Sequence, residues 1–128
     1  MVLGSDNGPA LLNADIGPQG SICEVAEGGT IIEVGVKANA GTPTALPRKE
    51  HGVTNTSLLS GALSTAAAGA FACSNSGGTL GMDGATTCSS TLTTTALAKG
   101  DWFGVASGVA DGVAARVTVT VIWIETGT

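Results

Sequence analysis

Apolar and polar positions alternate most regularly in the last quarter of the chain. Over residues 115–124, Val117, Val119, Val121 and Trp123 fall on one face, while Arg116, Thr118 and Thr120 fall on the other. This period of two is that of a half-buried antiparallel strand. Residues 91–98 read as an extended run, Lys99-Gly100-Asp101 as a turn, and residues 102–106 as the start of a further strand. Residues 30–38 alternate in the same way, with Ile32, Val34, Val36 and Ala38 on one side and Glu33 and Lys37 on the other. Shorter strands are expected over 21–26, 45–51 and 53–56. Pro47 limits the second of these to a sheet edge or a strand start, because proline donates no ladder hydrogen bond.

Residues 58–71 are less regular. Their alanines suit a short helix, but Gly61, Gly69 and the interspersed Ser and Thr favour a loop followed by a short strand near 70–73. Residues 75–85 are glycine-rich and read as a long surface loop, and the threonines of 87–97 favour strand over helix. Asp111-Gly112 separates the two final strands and is the kind of pair a tight hairpin uses to reach positive φ. Many short strands joined by glycine-rich turns predict an all-β, antiparallel protein, either a two-sheet sandwich or a closed barrel, over residues 21–128.

Residues 1–20 sustain neither period. Gly4, Gly8, Pro9, Gly17, Pro18 and Gly20 interrupt them, around a short apolar patch at Ala10-Leu11-Leu12 and the further apolar Ile16. The segment reads as an extended N-terminal arm that lies on its own domain or reaches a neighbouring subunit. At the other end, Ile122 and Ile124 make the last strand apolar on both faces. Such a strand is expected where one face meets the core and the other meets another sheet, a subunit or the arm.

Composition sharpens this picture. Only 12% of the 128 residues are charged, and the formal net charge is −5. A free monomer normally carries a more charged surface, so Thr, Ser, Asn and Gly must cover the exterior or neighbours must bury part of it. The negative balance argues against a direct nucleic-acid partner. No continuous apolar run is long enough to span a bilayer, and no basic patch followed by an apolar core opens the chain, so neither a membrane span nor a leader is expected. Synthesis in a cytoplasm follows from that reading.

Chemistry is sparse. His51 is the sole histidine, so no triad or histidine metal cluster can be chosen from several candidates. The ten carboxylates are scattered and form no calcium loop, and Gly77-Gly78 and Gly81 lack the Lys-Ser/Thr of a phosphate loop. No enzymatic activity, cofactor or metal ion is expected. Arg48-Lys49-Glu50-His51 is the only dense charged cluster. It reads as a partner or glycan contact, or as an edge strand whose charges discourage unwanted pairing. Asp83 and Asp101 read as turn caps. Trp102 and Trp123 are expected to be the largest core anchors. Cys23, Cys73 and Cys88 rule out full intrachain pairing. A Cys73–Cys88 bridge would contribute roughly 3 kcal/mol by the chain-entropy account, and the alternative is a pair of buried free thiols.

Gly29-Thr30-Ile31-Ile32-Glu33-Val34, Leu97-Ala98-Lys99-Gly100-Asp101-Trp102 and Val117-Thr118-Val119-Thr120-Val121 together resemble small jelly-roll modules of tailed bacteriophage virions. Arg48-Lys49-Glu50-His51-Gly52-Val53 is similar to their mid-chain strand-turn-strand, whereas Pro47 and residues 58–71 depart from the pattern. The resemblance implies a jelly-roll-like β-sandwich and a structural role on the virion, as a capsid decoration protein or a tail or fibre module. It further implies a homo-oligomer, a trimer for decoration proteins, seated on the major capsid protein or another virion subunit. Leu11, Leu12, Ile16, Arg48, Lys49, Ile122 and Ile124 are the candidate contacts. The rival readings are a receptor- or carbohydrate-binding module, for which Trp102 is the candidate platform, and a subunit of a non-viral extracellular filament.

Overall fold

The computed structural model describes residues 1–65 and 69–126, with the backbone alone at 19–22. Its strands form two antiparallel sheets packed as a sandwich. The first contains β1 (Val2–Gly4), β10 (Arg116–Glu125), β3 (Gly29–Ala38) and β7 (Phe71–Ser74) in that order, with β8 (Ala96–Leu97) also paired to β3. The second contains β2 (Gln19–Glu24), β9 (Trp102–Val109), β4 (Thr44–His51) and β5 (Thr54–Ser57), with β6 (Leu63–Ser64) also paired to β4. A single helical turn, α1 (Asn13–Ile16), precedes β2. The chain crosses repeatedly between the sheets, and their inner faces meet through Ile31, Val34, Val36, Val117 and Val119 on one side and Ala45, Phe103 and Val105 on the other, all buried.

The two strongly alternating stretches pair with each other. Val117, Val119 and Val121 of β10 lie opposite Ala38, Val36 and Val34 of β3. Both strands therefore present β-branched side chains to the core at the same level. The expected inward position of Ile32 is corrected by a bulge. Ile122 lies opposite Glu33 but Trp123 lies opposite Ile31, so Ile32 is the extra residue and Ile31 takes the buried place.

Several other expectations change for topological reasons. β4 is an interior strand between β9 and β5 rather than an edge. Pro47 is accommodated where the register against β9 shifts, and its carbonyl accepts the Leu58 amide at 2.9 Å. Residues 87–97 form no continuous strand. The Thr93 and Thr94 amides turn to the Leu58 carbonyl, at 3.0 and 3.2 Å, and only Ala96–Leu97 joins a sheet. Gly112 does take positive φ (+78°), yet β9 and β10 belong to different sheets, so the Asp-Gly turn links sheets and makes no hairpin. The Asp111 carboxylate secures it by accepting the Val113 and Ala114 amides, each at 3.0 Å. These bonds, the Ala114 one foremost, outweigh slight burial and hold the Asp111 carboxyl below its usual range. A short strand does occupy 71–74, while residues 66–68 of the stretch read as loop lie outside the described residues. Phe103, not Trp102, is the largest fully buried side chain, because alternation along β9 turns Trp102 outward. Trp123 is half-buried and packs on Phe103, with ring centroids 5.5 Å apart.

The N-terminal segment lies on its own domain. β1 pairs with the start of β10, Val2 opposite Thr118 and Gly4 opposite Arg116. The domain boundary expected after residue 20 falls inside β2. Leu3, Leu11 and Ile16 join the main core, and the Leu11 amide donates to the Ala114 carbonyl at 2.8 Å. Ile16 sits directly over Gly108, where an added Cβ would lie 2.1 Å from the Ile16 Cγ2 atom, so only glycine permits this approach. Ile16→Ala is therefore expected to lower stability by about 2–5 kcal/mol in denaturant unfolding. Leu12→Ala, at a 70% exposed position, should change it by less than about 0.5 kcal/mol.

Candidate functional site

Three surface regions gather the chemistry of this chain. The first is built on β4. Period-two alternation puts Arg48 and Glu50 on one face, where they form an ion pair at 2.5 Å. Lys49 and His51 share the other face and both reach Asp101, which the Lys99-Gly100 turn delivers at the start of β9. His51 Nδ1 lies 2.7 Å from one Asp101 oxygen, and Lys49 Nζ lies 3.5 Å from the other. The Ala98 amide donates to that second oxygen at 2.9 Å, and Lys49 also donates to the Ala96 carbonyl at 2.6 Å.

Asp101 is almost fully buried, whereas the His51 side chain is 64% exposed. Burial pushes the Asp101 carboxyl upward, but the Ala98 amide, His51 and Lys49 together outweigh it and hold the group below its ordinary value. A histidine oriented by a buried carboxylate is two-thirds of a nucleophilic triad. No serine, threonine or cysteine is bonded to His51 among the described residues. The cluster pins the 98–101 turn to β4.

The second region lies on the outer face of the first sheet. Cys73 of β7 stands opposite Gly35 of β3, and Phe71 packs over the bare Gly35 backbone. The loop over residues 75–90 folds back across this face and is joined to it by a Cys73–Cys88 disulfide. Glu33, on the same face two residues before Gly35, is 3% exposed and accepts the Met82 amide at 2.8 Å. Asp83 accepts the Thr86 hydroxyl at 2.6 Å and the Ala85 and Thr86 amides at 3.0 Å. Those bonds, the Thr86 hydroxyl first, lower its carboxyl pKa and cap the loop as the sequence suggested. Cys23 is a free, exposed thiol.

The third region is the outer side of β10. Beyond Val119, whose amide donates to the Met1 carbonyl at 2.8 Å, no strand among the described residues pairs with the lateral edge over residues 121–125. Ile124 is 59% exposed there, Ile122 is half-buried, and Val121, Ile122, Trp123 and Glu125 line a shallow cleft.

The candidate contacts thus separate. Leu11 and Ile16 are not surface residues, since both lie in the chain's own core. Arg48 and Lys49 are mostly covered, with side-chain exposures of 16% and 19%, and are engaged in ion pairs within the chain. The alternative of an edge strand protected by charge fails too, because β5 covers β4. Leu12, Ile122 and Ile124 keep a surface. Sequence reasoning missed Asp101 as the shared partner of Lys49 and His51. Alternation places those two on one face, but nothing local indicates which acid fifty residues away will meet them. It also missed Glu33, whose outward position was legible but whose covering loop was not.

The Asp101 geometry fixes a pH dependence. A carboxyl held below 3.8 in the folded chain stabilises fully above that unfolded value, and the contribution is lost as pH falls through the lower folded value. Asp101→Asn should therefore flatten the loss of stability in acid below about pH 4, read as unfolding free energy against pH, while costing about 1–3 kcal/mol near neutrality. Comparison with protein-family models, with curated proteins and with solved structures gives no match to this chain.

Proposed function

We propose that the protein is a virion structural subunit, a capsid decoration protein that assembles with copies of itself and seats on a shell. The observation that carries this reading is the outer side of β10: an unpaired strand edge with apolar side chains beside it. Isolated sheet proteins blunt such edges with lysine, proline or a covering loop. Residues 120–124 read Thr-Val-Ile-Trp-Ile and carry no such guard. Exposed Leu12, Val109 and Val113, at 70%, 58% and 60%, add apolar surface away from this edge. Low surface charge suits a subunit whose exterior is shared with neighbours. The virion assignment rests on the jelly-roll resemblance. Of the candidate contacts, Leu12, Ile122 and Ile124 keep that role in this reading.

The carbohydrate-binding alternative has one observation in its favour. Trp102 is 37% exposed on a strand beside the polar β4 face, with Glu50 as its cross-strand neighbour. Sugar sites use such platforms. Trp102→Ala should then abolish retention on a glycan array, whereas a decoration protein would retain shell binding with the same change.

Sedimentation equilibrium is expected to give a trimer for the unaltered chain and a shift toward monomer for Ile124→Asp, with unchanged circular dichroism. Ile124→Asp should also weaken binding to undecorated phage shells by at least tenfold. A monomer at every concentration that no shell retains would remove the decoration reading.

A further inference from the structure

We propose that Glu33, Cys73 and Cys88 form a binding site for zinc, or a comparable soft divalent cation, whenever the disulfide between the cysteines is open. One ligand atom from each residue lies within 4.8 Å of the other two, and all three residues are buried. The Glu33 Oε1 atom is 3.5 Å from the Cys88 sulfur. A tetrahedral zinc with bonds of about 2.3 Å to sulfur and 2.0 Å to oxygen separates those ligands by about 3.5 Å. That edge of the coordination tetrahedron is already formed. Opening the S–S bond lets the two sulfurs move apart to admit the ion.

The backbone that carries the ligands is held independently of the disulfide. The Ser89 amide donates to the Cys73 carbonyl at 2.9 Å, the Asn75 amide to the Ser89 carbonyl at 3.0 Å, and the Cys88 amide to the Thr79 carbonyl at 2.9 Å. Gly81 closes over the sulfurs, where a Cβ would lie 3.1 Å from each, so no side chain occupies the space above them. Glu33 also borders a cleft of about 420 Å³ with Asn75, Thr79 and Met82, from which water can supply the fourth ligand.

Electrostatics gives the independent reason. A buried carboxylate is costly without a counter-charge. Glu33 has no ion pair among the described residues and receives one amide bond, from Met82. Beside two neutral disulfide sulfurs that arrangement persists. Opening the disulfide leaves two neutral thiols there, and a cation that replaces their protons answers the Glu33 charge as well. The exchange balances simply: a dithiol reductant gives two electrons and two protons to the disulfide and becomes a disulfide itself. A zinc ion then displaces both thiol protons to solvent without changing oxidation state. This departs from the sequence expectation of no metal and is independent of the virion reading.

The test uses the full chain with Cys23→Ser, which removes the exposed thiol. Protein reduced with dithiothreitol and desalted without oxygen is titrated with cobalt(II). A thiolate-to-cobalt charge-transfer band saturating at one equivalent, and bleached by one equivalent of zinc, is expected. Disulfide-bonded protein should give no band. Glu33→Gln should weaken cobalt binding at least tenfold while circular dichroism of the reduced protein stays unchanged. The proposal is overturned if the reduced protein gives no band, or if Glu33→Gln binds as tightly as the parent. The latter result would mark adventitious binding by the two thiols, in a folded or an unfolded chain.

Discussion

The pairing of β3 with β10 is the constraint on which the rest of this structure depends. It joins two strands whose partners, from Ala38 and Val117 to Gly29 and Glu125, are far apart in sequence, and each places a row of β-branched side chains in the core. β7 and β8 attach to the other side of β3, and β1 attaches to the other side of β10, so the first sheet has no existence without that pair. The second sheet is then positioned by burial against the same row, through Phe103 and Val105. With few aromatic residues available, much of the core's grip comes from valine and isoleucine. Their restricted rotamers lose little side-chain freedom on packing against a pleated surface.

The same pairing distributes function over the surface. Its inner face is used up by the sandwich, and part of its outer face is covered by the disulfide-tethered loop, which Glu33 and Cys73 hold from below. What remains open among the described residues is the far side of β10, where β1 pairs no further along than Val2 opposite Thr118 and the strand continues to Glu125. Among the described residues no strand pairs with that edge over residues 121–125. The apolar residues beside it then decide whether the edge attracts another chain or only water.

Legibility followed the range of the interaction. Alternation over 30–38 and 115–124 revealed both strands of the central pair, because burial on one side writes itself into every second residue. The turn chemistry of Lys99-Gly100-Asp101 and of Asp111-Gly112 was equally visible, since positive φ at Gly100 and Gly112 is a local demand. What escaped was pairing. Pro47 suggested an edge, yet a register shift against β9 absorbs it inside a sheet. The threonines of 87–97 suggested a strand, yet the amides of Thr93 and Thr94 answer to the distant Leu58 carbonyl. The outward-facing residue of a bulge cannot be read from one strand alone, because the extra residue is defined only by the partner's count. Leu11 and Ile16 looked like contacts for another chain because the surrounding glycines hid that the core to be filled was their own.

Two kinds of buried acid separate what is complete from what is not. Asp101 is buried with Lys49, His51 and a backbone amide around it, so its charge is answered within the chain and its role is to fix a turn. Glu33 is buried to a similar degree with one amide and two sulfur atoms. A low-dielectric surrounding strengthens paired charges and penalises unpaired ones alike, so the two carboxylates have opposite consequences although both lie on β-sheet surfaces. The satisfied one explains stability. The other, which has no ion pair among the described residues, lies where the covering loop is bonded to the sheet, so the disulfide tether and this carboxylate occupy one spot.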